Sequence, residues 1–106
     1  MEVQQFKEEV EKIVGNTIRF DGHFTKVVKN LPEERQQRIL QWARDCAAGI
    51  IVPEPCKNYR HLIAFIFKSN DNRLRGILTK EKGSYFLELF LDNHKYYDEK
   101  RKYLGL

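Results

Sequence analysis

The sequence predicts an α+β fold, in which helices pack on one face of a small antiparallel sheet. Two observations carry this prediction. Apolar residues recur at helical spacing in the first half of the chain, and strand-like runs separated by turn residues fill the second half. The 106 residues, 42% of them hydrophobic, suffice for one packed core. We therefore expect a single domain over residues 1–106, with a helical extension at 1–15 and a basic, tyrosine-rich tail at 93–106.

The first half of the chain is predicted to be mainly helical. Residues 2–14 carry apolar side chains at helical spacing, and Gly15 ends that extra N-terminal helix. Residues 17–20 alternate as in a short strand. Two further helices follow, one of about two turns from Phe24 and one beginning at Pro32. We expect these two helices to form a hairpin on one face of the sheet.

The second half predicts three antiparallel strands. Prolines indicate a loop over residues 51–59, and the following run, 61–67, is apolar on both alternating faces, which suits a covered strand. Residues 73–80 and 84–92 predict a hairpin, with Gly83 in the left-handed position of a three-residue loop. Together with the N-terminal strand, this three-stranded meander forms the sheet. The tail is predicted to be either a short helix or an extended strand end.

Charge and composition exclude some classes of protein. The net charge of +4 lies entirely in residues 53–106, which hints at an anionic partner. No apolar run reaches the roughly 20 residues needed to cross a bilayer, and the first residues do not resemble a secretory signal, so we expect a cytoplasmic protein. Cys46 and Cys56 stand alone, and the histidines lack ligand spacing. Partly buried thiols are therefore expected, without a metal site or a disulfide scaffold.

Candidate functional residues surround the predicted hairpin. Arg73 and Arg75 alternate on one face of its first strand. A guanidinium group matches phosphate geometry through paired N–H donors. His94 follows the second strand, and a histidine can act as an acid or a base near neutral pH. The alternative interpretation is that these residues are solvated polar groups at the surface of the sheet.

Two further features point to phosphodiester chemistry. Tyr96 and Tyr97 lie among basic residues, a pattern that suits stacking on bases and attraction of phosphates, although the same pattern fits a tail that docks through its tyrosines. Glu54 lies between Pro53 and Pro55, which hold its carboxylate with little freedom to lose. A carboxylate held in this way is a candidate general base, and the alternative is an ordinary surface acid.

The order of these features resembles the RelE/ParE toxin superfamily, in particular its RelE- and YoeB-like ribosome-dependent mRNA endonucleases. The resemblance covers about residues 17–97. The segment 24–49 looks like the helical hairpin of that family, and Leu74–Leu78 looks like its arginine-containing middle strand. The resemblance implies the toxin component of a type II toxin–antitoxin system, with an antitoxin protein and ribosome-bound messenger RNA as partners and no cofactor.

The resemblance also implies residue roles. Glu54 would be the general base that takes the proton from an RNA 2′-OH, and Arg75 would stabilise the added charge on the phosphate. His94 and the tyrosines that follow it would form the C-terminal part of the site, and one of them would protonate the leaving 5′ oxygen. Tyr97 is the assigned catalytic tyrosine, and the choice between it and Tyr96 stays open. Binding of the RNA would be supported by Lys57, Arg73, Lys95 and Tyr96.

Two alternative functions stay open at this point. A ParE-like toxin would share the fold but would inhibit DNA gyrase by binding. A non-catalytic α+β interaction protein is favoured by the low net charge and by the helix over residues 2–14, which precedes the family's usual first strand.

Overall fold

The computed structural model describes all 106 residues and confirms the α+β class. The helices are α1 (Val3–Val14), α2 (Phe24–Lys29), α3 (Glu33–Ala47) and α4 (His94–Leu104). The strands are β1 (Ile18–Phe20), β2 (Glu54–Pro55), β3 (Ile63–Lys68), β4 (Leu74–Glu81) and β5 (Ser84–Leu91). They form one sheet in the order β1-β5-β4-β3-β2, so β4 lies at its centre.

Helices α1 to α3 cover one face of the sheet, as the apolar patterns predict. Phe6 and Val10 are fully buried one turn apart on α1. Helix α3 begins directly after Pro32 and has two glutamates in its first turn, where the helix dipole favours negative charge. A cluster of 16 buried residues joins these helices to side chains of the sheet such as Leu78 and Leu87.

The sheet is mixed, whereas a wholly antiparallel sheet was expected. Strands β3, β4 and β5 form the predicted antiparallel meander. Strand β1, however, pairs in parallel with β5, with Ile18 opposite Tyr85. No tight turn connects β1 to its neighbour, so the local sequence places no constraint on its direction.

Two local predictions also need correction. The two-residue strand β2 lies in the segment predicted to be a loop, at the edge of the sheet, where a prolyl residue is tolerated. The turn between β4 and β5 has two central residues, Lys82 and Gly83, rather than three. Both have positive φ, +49° and +84°, and Glu81 pairs with Ser84 across the turn. Positive φ at both positions is the signature of a tight type I′ hairpin.

The tail forms helix α4, which covers the second face of the sheet. The Asn93 side chain accepts a hydrogen bond from the Tyr96 N–H and caps the helix, and Gly105 ends it in the left-handed conformation. Tyr97 and Leu104 are buried in a second cluster of six residues. Helices therefore cover both faces, and the expectation of a single covered face describes α1 to α3 only.

The remaining predictions concern the cysteines and the membrane. Both Cys46 and Cys56 are free thiols, and both are buried more fully than expected. Burial raises the pKa of each thiol. None of the four helices combines the length and the apolar character needed to cross a bilayer.

Candidate functional site

Helix α4 divides the second face of the sheet into two flanks, and the flank toward β2 and β3 carries a charged groove. We name this cavity of about 270 Å³ the Glu54 groove. Its charged side chains are one carboxylate, Glu54, and two cations, Lys68 and Arg101. Its other walls are Ile51, Val52, Ala64 and Ile66.

Arg75 lies beside this groove because of the strand register. It stands directly opposite Lys68 in the β3–β4 pair, and directly opposed residues point to the same face of a sheet. Its guanidinium carbon lies 4.7 Å from the centre of the Tyr97 ring. The guanidinium carbon of Arg101 lies 5.9 Å from the same ring. Tyr97 thus contacts two arginines through cation–π interactions.

The groups around Tyr97 are buried and incompletely paired. Tyr97 is fully buried, and burial raises the pKa of its hydroxyl. That hydroxyl and the Nε atoms of Arg75 and Arg101 make no hydrogen bond of good geometry with the protein. A buried polar group left unpaired costs about 1–3 kcal/mol of stability. Three such atoms lie around one ring, so the polar groups under α4 are less well paired than those of the first face.

The sheet spacing gives the distance between Glu54 and Arg75. Glu54 is two strands away from β4, in line with Thr79, and Arg75 lies four residues further along that strand. Spacings of about 4.8 Å between strands and 3.3 Å along a strand place the two Cα atoms roughly 16 Å apart. Arg101 connects them, because it lines the groove with Glu54 and contacts the same ring as Arg75.

His94 lies at the beginning of α4. It is exposed and makes no hydrogen bond or ion pair with another side chain. It precedes Tyr97 by three residues and Arg101 by seven, so all three lie on one face of the helix. About one turn of helix, roughly 5 Å of rise, separates His94 from Tyr97. His94 therefore lies at the end of α4 nearer to Arg75, outside the residues that line the groove.

The remaining predicted site residues lie elsewhere. Arg73 is exposed and binds Asp92 through two hydrogen bonds of 2.7 Å, which hold the pKa of that carboxyl below its usual range. Lys95 and Tyr96 are exposed on the first turn of α4. The Tyr96 ring contacts His23 with centres 5.6 Å apart, away from the groove. Lys57 is exposed three residues after Glu54.

Sequence patterns alone did not identify two cations of the groove, Lys68 and Arg101. Lys68 could be identified only from the β3–β4 register, which pairs it with Arg75 and depends on the exact turn between the strands. Arg101 would have been found from a helical assignment of the tail, since it then shares a face with His94 and Tyr97.

The opposite flank of α4 carries a different set of charges. Glu88, on β5, forms an ion pair of 3.0 Å with Lys100, on α4. Burial raises the pKa of Glu88 and also that of Asp21, which lies near it at the end of β1. A larger, shallow cavity of about 700 Å³ lies on this flank near the β4–β5 turn. Its charged side chains are only Arg19 and Glu81, so it gathers no set of cations, and the Glu54 groove is the stronger candidate.

No three His, Cys, Asp or Glu side chains converge in a way that would hold a metal ion. Comparisons with models of protein families, with curated proteins and with solved structures found no match to this chain.

Proposed function

We propose that this chain is the toxin of a type II toxin–antitoxin system and cleaves messenger RNA on the ribosome in the cytoplasm. The proposal starts from the similarity of its motifs to RelE- and YoeB-like endonucleases. The structural observation that supports it best is the Glu54 groove, which is lined by a carboxylate and by Arg101, with the Arg75–Tyr97 stack connected to it through Arg101. A base and phosphate-binding cations along one groove are the groups that 2′-OH attack on a phosphodiester requires.

The proposed reaction proceeds through groups of the protein alone. Glu54 takes the proton from a ribose 2′-OH, and the resulting oxygen attacks the adjacent phosphorus. Arg75 and Arg101 stabilise the charge that develops on the phosphate oxygens. The bond from phosphorus to the 5′ oxygen breaks, and His94 donates a proton to that oxygen. The products are a 2′,3′-cyclic phosphate and a free 5′-OH.

Tyr97 receives a positioning role in this proposal. Its ring is fully buried, so it reaches no substrate while α4 lies on the sheet. Its contact with Arg75 instead fixes the direction of that guanidinium. Lys68, directly opposite Arg75, joins Lys57 and Lys95 as a source of positive charge for the RNA. An antitoxin would silence the protein by covering the groove.

The decisive experiment is inducible expression of the wild type beside Glu54→Gln and Arg75→Ala. We expect growth arrest and cleaved messages with 2′,3′-cyclic phosphate ends for the wild type. Both readouts should disappear in Glu54→Gln, and cleavage should fall about 100-fold or more in Arg75→Ala, as for loss of a charge-stabilising donor. Arg44→Ala is the matched control, since Arg44 is an exposed arginine on α3. Wild-type protein that leaves messages intact, or Glu54→Gln that still cleaves them, contradicts the proposal.

A second function, binding of RNA without cleavage, is favoured by one observation. Helix α4 covers Arg75, and the Nε atom of that residue is buried. Purified wild type that binds single-stranded RNA but never cleaves it, with or without ribosomes, would select this function over the first.

A further inference from the structure

A second surface of the molecule is formed where the loop 56–62 meets the end of the chain, residues 100–106. The Asn58 side-chain amide donates hydrogen bonds to the carbonyl groups of Lys102, at 3.2 Å, and Tyr103, at 3.0 Å. The Asn58 backbone N–H donates to the Leu104 carbonyl at 3.3 Å. The two segments are therefore fixed to each other and present one continuous surface.

This surface carries a pair of exposed aromatic rings. Tyr59 and Tyr103 have 37% and 58% of their surface exposed, and their ring centres lie 5.3 Å apart. The Lys100 ammonium group lies 5.1 Å from the centre of the Tyr103 ring. Tyr103 is more exposed than covered, and with Tyr59 it forms an exposed aromatic patch, a feature that marks sites of contact with other molecules.

The same two segments hold the positive excess of the chain. They carry five of its 19 Lys and Arg residues and none of its 15 Asp and Glu residues, which leaves 14 basic and 15 acidic residues elsewhere. Lys100 is engaged by Glu88, and Arg101 lines the Glu54 groove. The basic residues that remain exposed are Lys57, Arg60 and Lys102. Exposed cations around aromatic rings complement an anionic ligand that also has flat faces.

We propose that Tyr59 and Tyr103 form a stacking platform for a base of single-stranded RNA, with the exposed basic residues binding its phosphates. The choice of RNA rests on the proposed function. The Tyr103 ring contacts Lys100, which pairs with Glu88, so the platform lies at the end of α4 on the side away from the Glu54 groove and would bind RNA beyond the proposed cleavage site. Charge alone would suit an acidic protein segment, but the paired rings favour bases, which have a π face to stack on them.

The test measures binding of a fluorescein-labelled 12-nucleotide single-stranded RNA by fluorescence anisotropy, with every variant built on Glu54→Gln so that the RNA stays intact. We expect Tyr103→Ala to weaken binding about tenfold and Tyr59→Ala by a similar factor, as for loss of one stacked base. Tyr103→Phe keeps the ring and should bind within about twofold of its parent. Lys102→Gln should lower the slope of log affinity against log salt by about 0.7.

Several outcomes overturn the platform. The proposal is contradicted if Tyr103→Ala binds RNA as tightly as its parent. It is also contradicted if Tyr103→Phe binds RNA as weakly as Tyr103→Ala. Polyglutamate that displaces the RNA as well as unlabelled RNA of equal charge would assign the surface to an acidic protein. Failure of the proposed function is separable, because a wild type that binds RNA through these tyrosines but cleaves nothing contradicts cleavage and leaves the platform in place.

Discussion

The two faces of the sheet differ in what their covering helices bury. The face under α1, α2 and α3 contributes to a cluster of 16 buried residues, whereas the face under α4 contributes to a cluster of six. Buried polar side-chain atoms without a hydrogen bond or an ion pair are unevenly distributed, and only Trp42 Nε1 belongs to the larger cluster. Three belong to residues on or under α4, namely Arg75, Tyr97 and Arg101. The first face is built for stability, and the second departs from good packing where the candidate site lies.

The largest expected effect is on the free energy of unfolding, and it can be compared at two adjacent residues of β4 that point to opposite faces of the sheet. Leu78 and Ile77 are both fully buried, but Leu78 packs in the larger cluster and Ile77 under α4. We expect Leu78→Ala to lower the free energy of unfolding by about 4 kcal/mol and Ile77→Ala by about 2 kcal/mol, because a single helix settles into a void more easily than three interlocked helices. Urea denaturation measures both values. A larger loss for Ile77→Ala would contradict the comparison.

The same difference explains how much of the fold was predictable from the sequence. Helix α1 was predicted from its regular apolar stripe, and the β4–β5 hairpin from its turn residues. Helix α4 was predicted only as one of two alternatives for the tail, because it buries only Tyr97 and Leu104 among 11 residues and its apolar periodicity is correspondingly weak. The parallel direction of β1 escaped prediction because strand pairing between distant segments leaves no local pattern.

The candidate site was predictable in part, for a related reason. Glu54 and Arg75 were identified from the proline-flanked acid and the strand that carries the arginine. The positions of Lys68 and Arg101 depend on strand register and on the helix in the tail, neither of which the local sequence specified. The burial of Tyr97, which gives that residue a positioning role in the proposed function, also depends on how α4 docks.

An intermediate effect is expected where α4 is fastened to the second face. Gly105 has φ of +80°, and a Cβ atom there would lie 2.8 Å from the Asn58 backbone nitrogen. Gly49 has a similar φ of +77° but open space around it. Gly49→Ala should therefore cost about 1 kcal/mol from backbone strain alone, and Gly105→Ala should cost about 2 kcal/mol.

Hydrogen exchange measures where each glycine substitution acts. Gly105→Ala should reduce protection in α4 and leave α1 and α3 protected, because the clash separates only the segment that Asn58 holds. Equal protection of α4 in the two variants would show that the Asn58 contact does not fasten the helix.

The smallest effect concerns charge on the second face and depends on pH. Burial raises the pKa of Glu88 in the folded protein, although Lys100 opposes this. The folded state therefore binds the proton more tightly than the unfolded chain. Protonation of Glu88 therefore stabilises the folded state. This stabilisation is complete below the usual glutamate pKa and is lost as the pH rises through the raised pKa of Glu88. Relative to Glu88→Gln, the wild type should lose a few °C in melting temperature between pH 4 and pH 7.

Asp92 gives a matched control of opposite sign. Its exposed carboxyl pairs with Arg73, and its pKa is lowered in the folded protein. The stabilisation by ionised Asp92 is present above the usual aspartate pKa and is lost as the pH falls through the lowered pKa. The melting temperature of the wild type should therefore rise relative to that of Asp92→Asn as the pH rises. Melting curves of the three proteins at several pH values provide the comparison. If the Glu88→Gln and Asp92→Asn differences change in the same direction with pH, then burial under α4 does not govern Glu88, and its ion pair with Lys100 is the stronger influence.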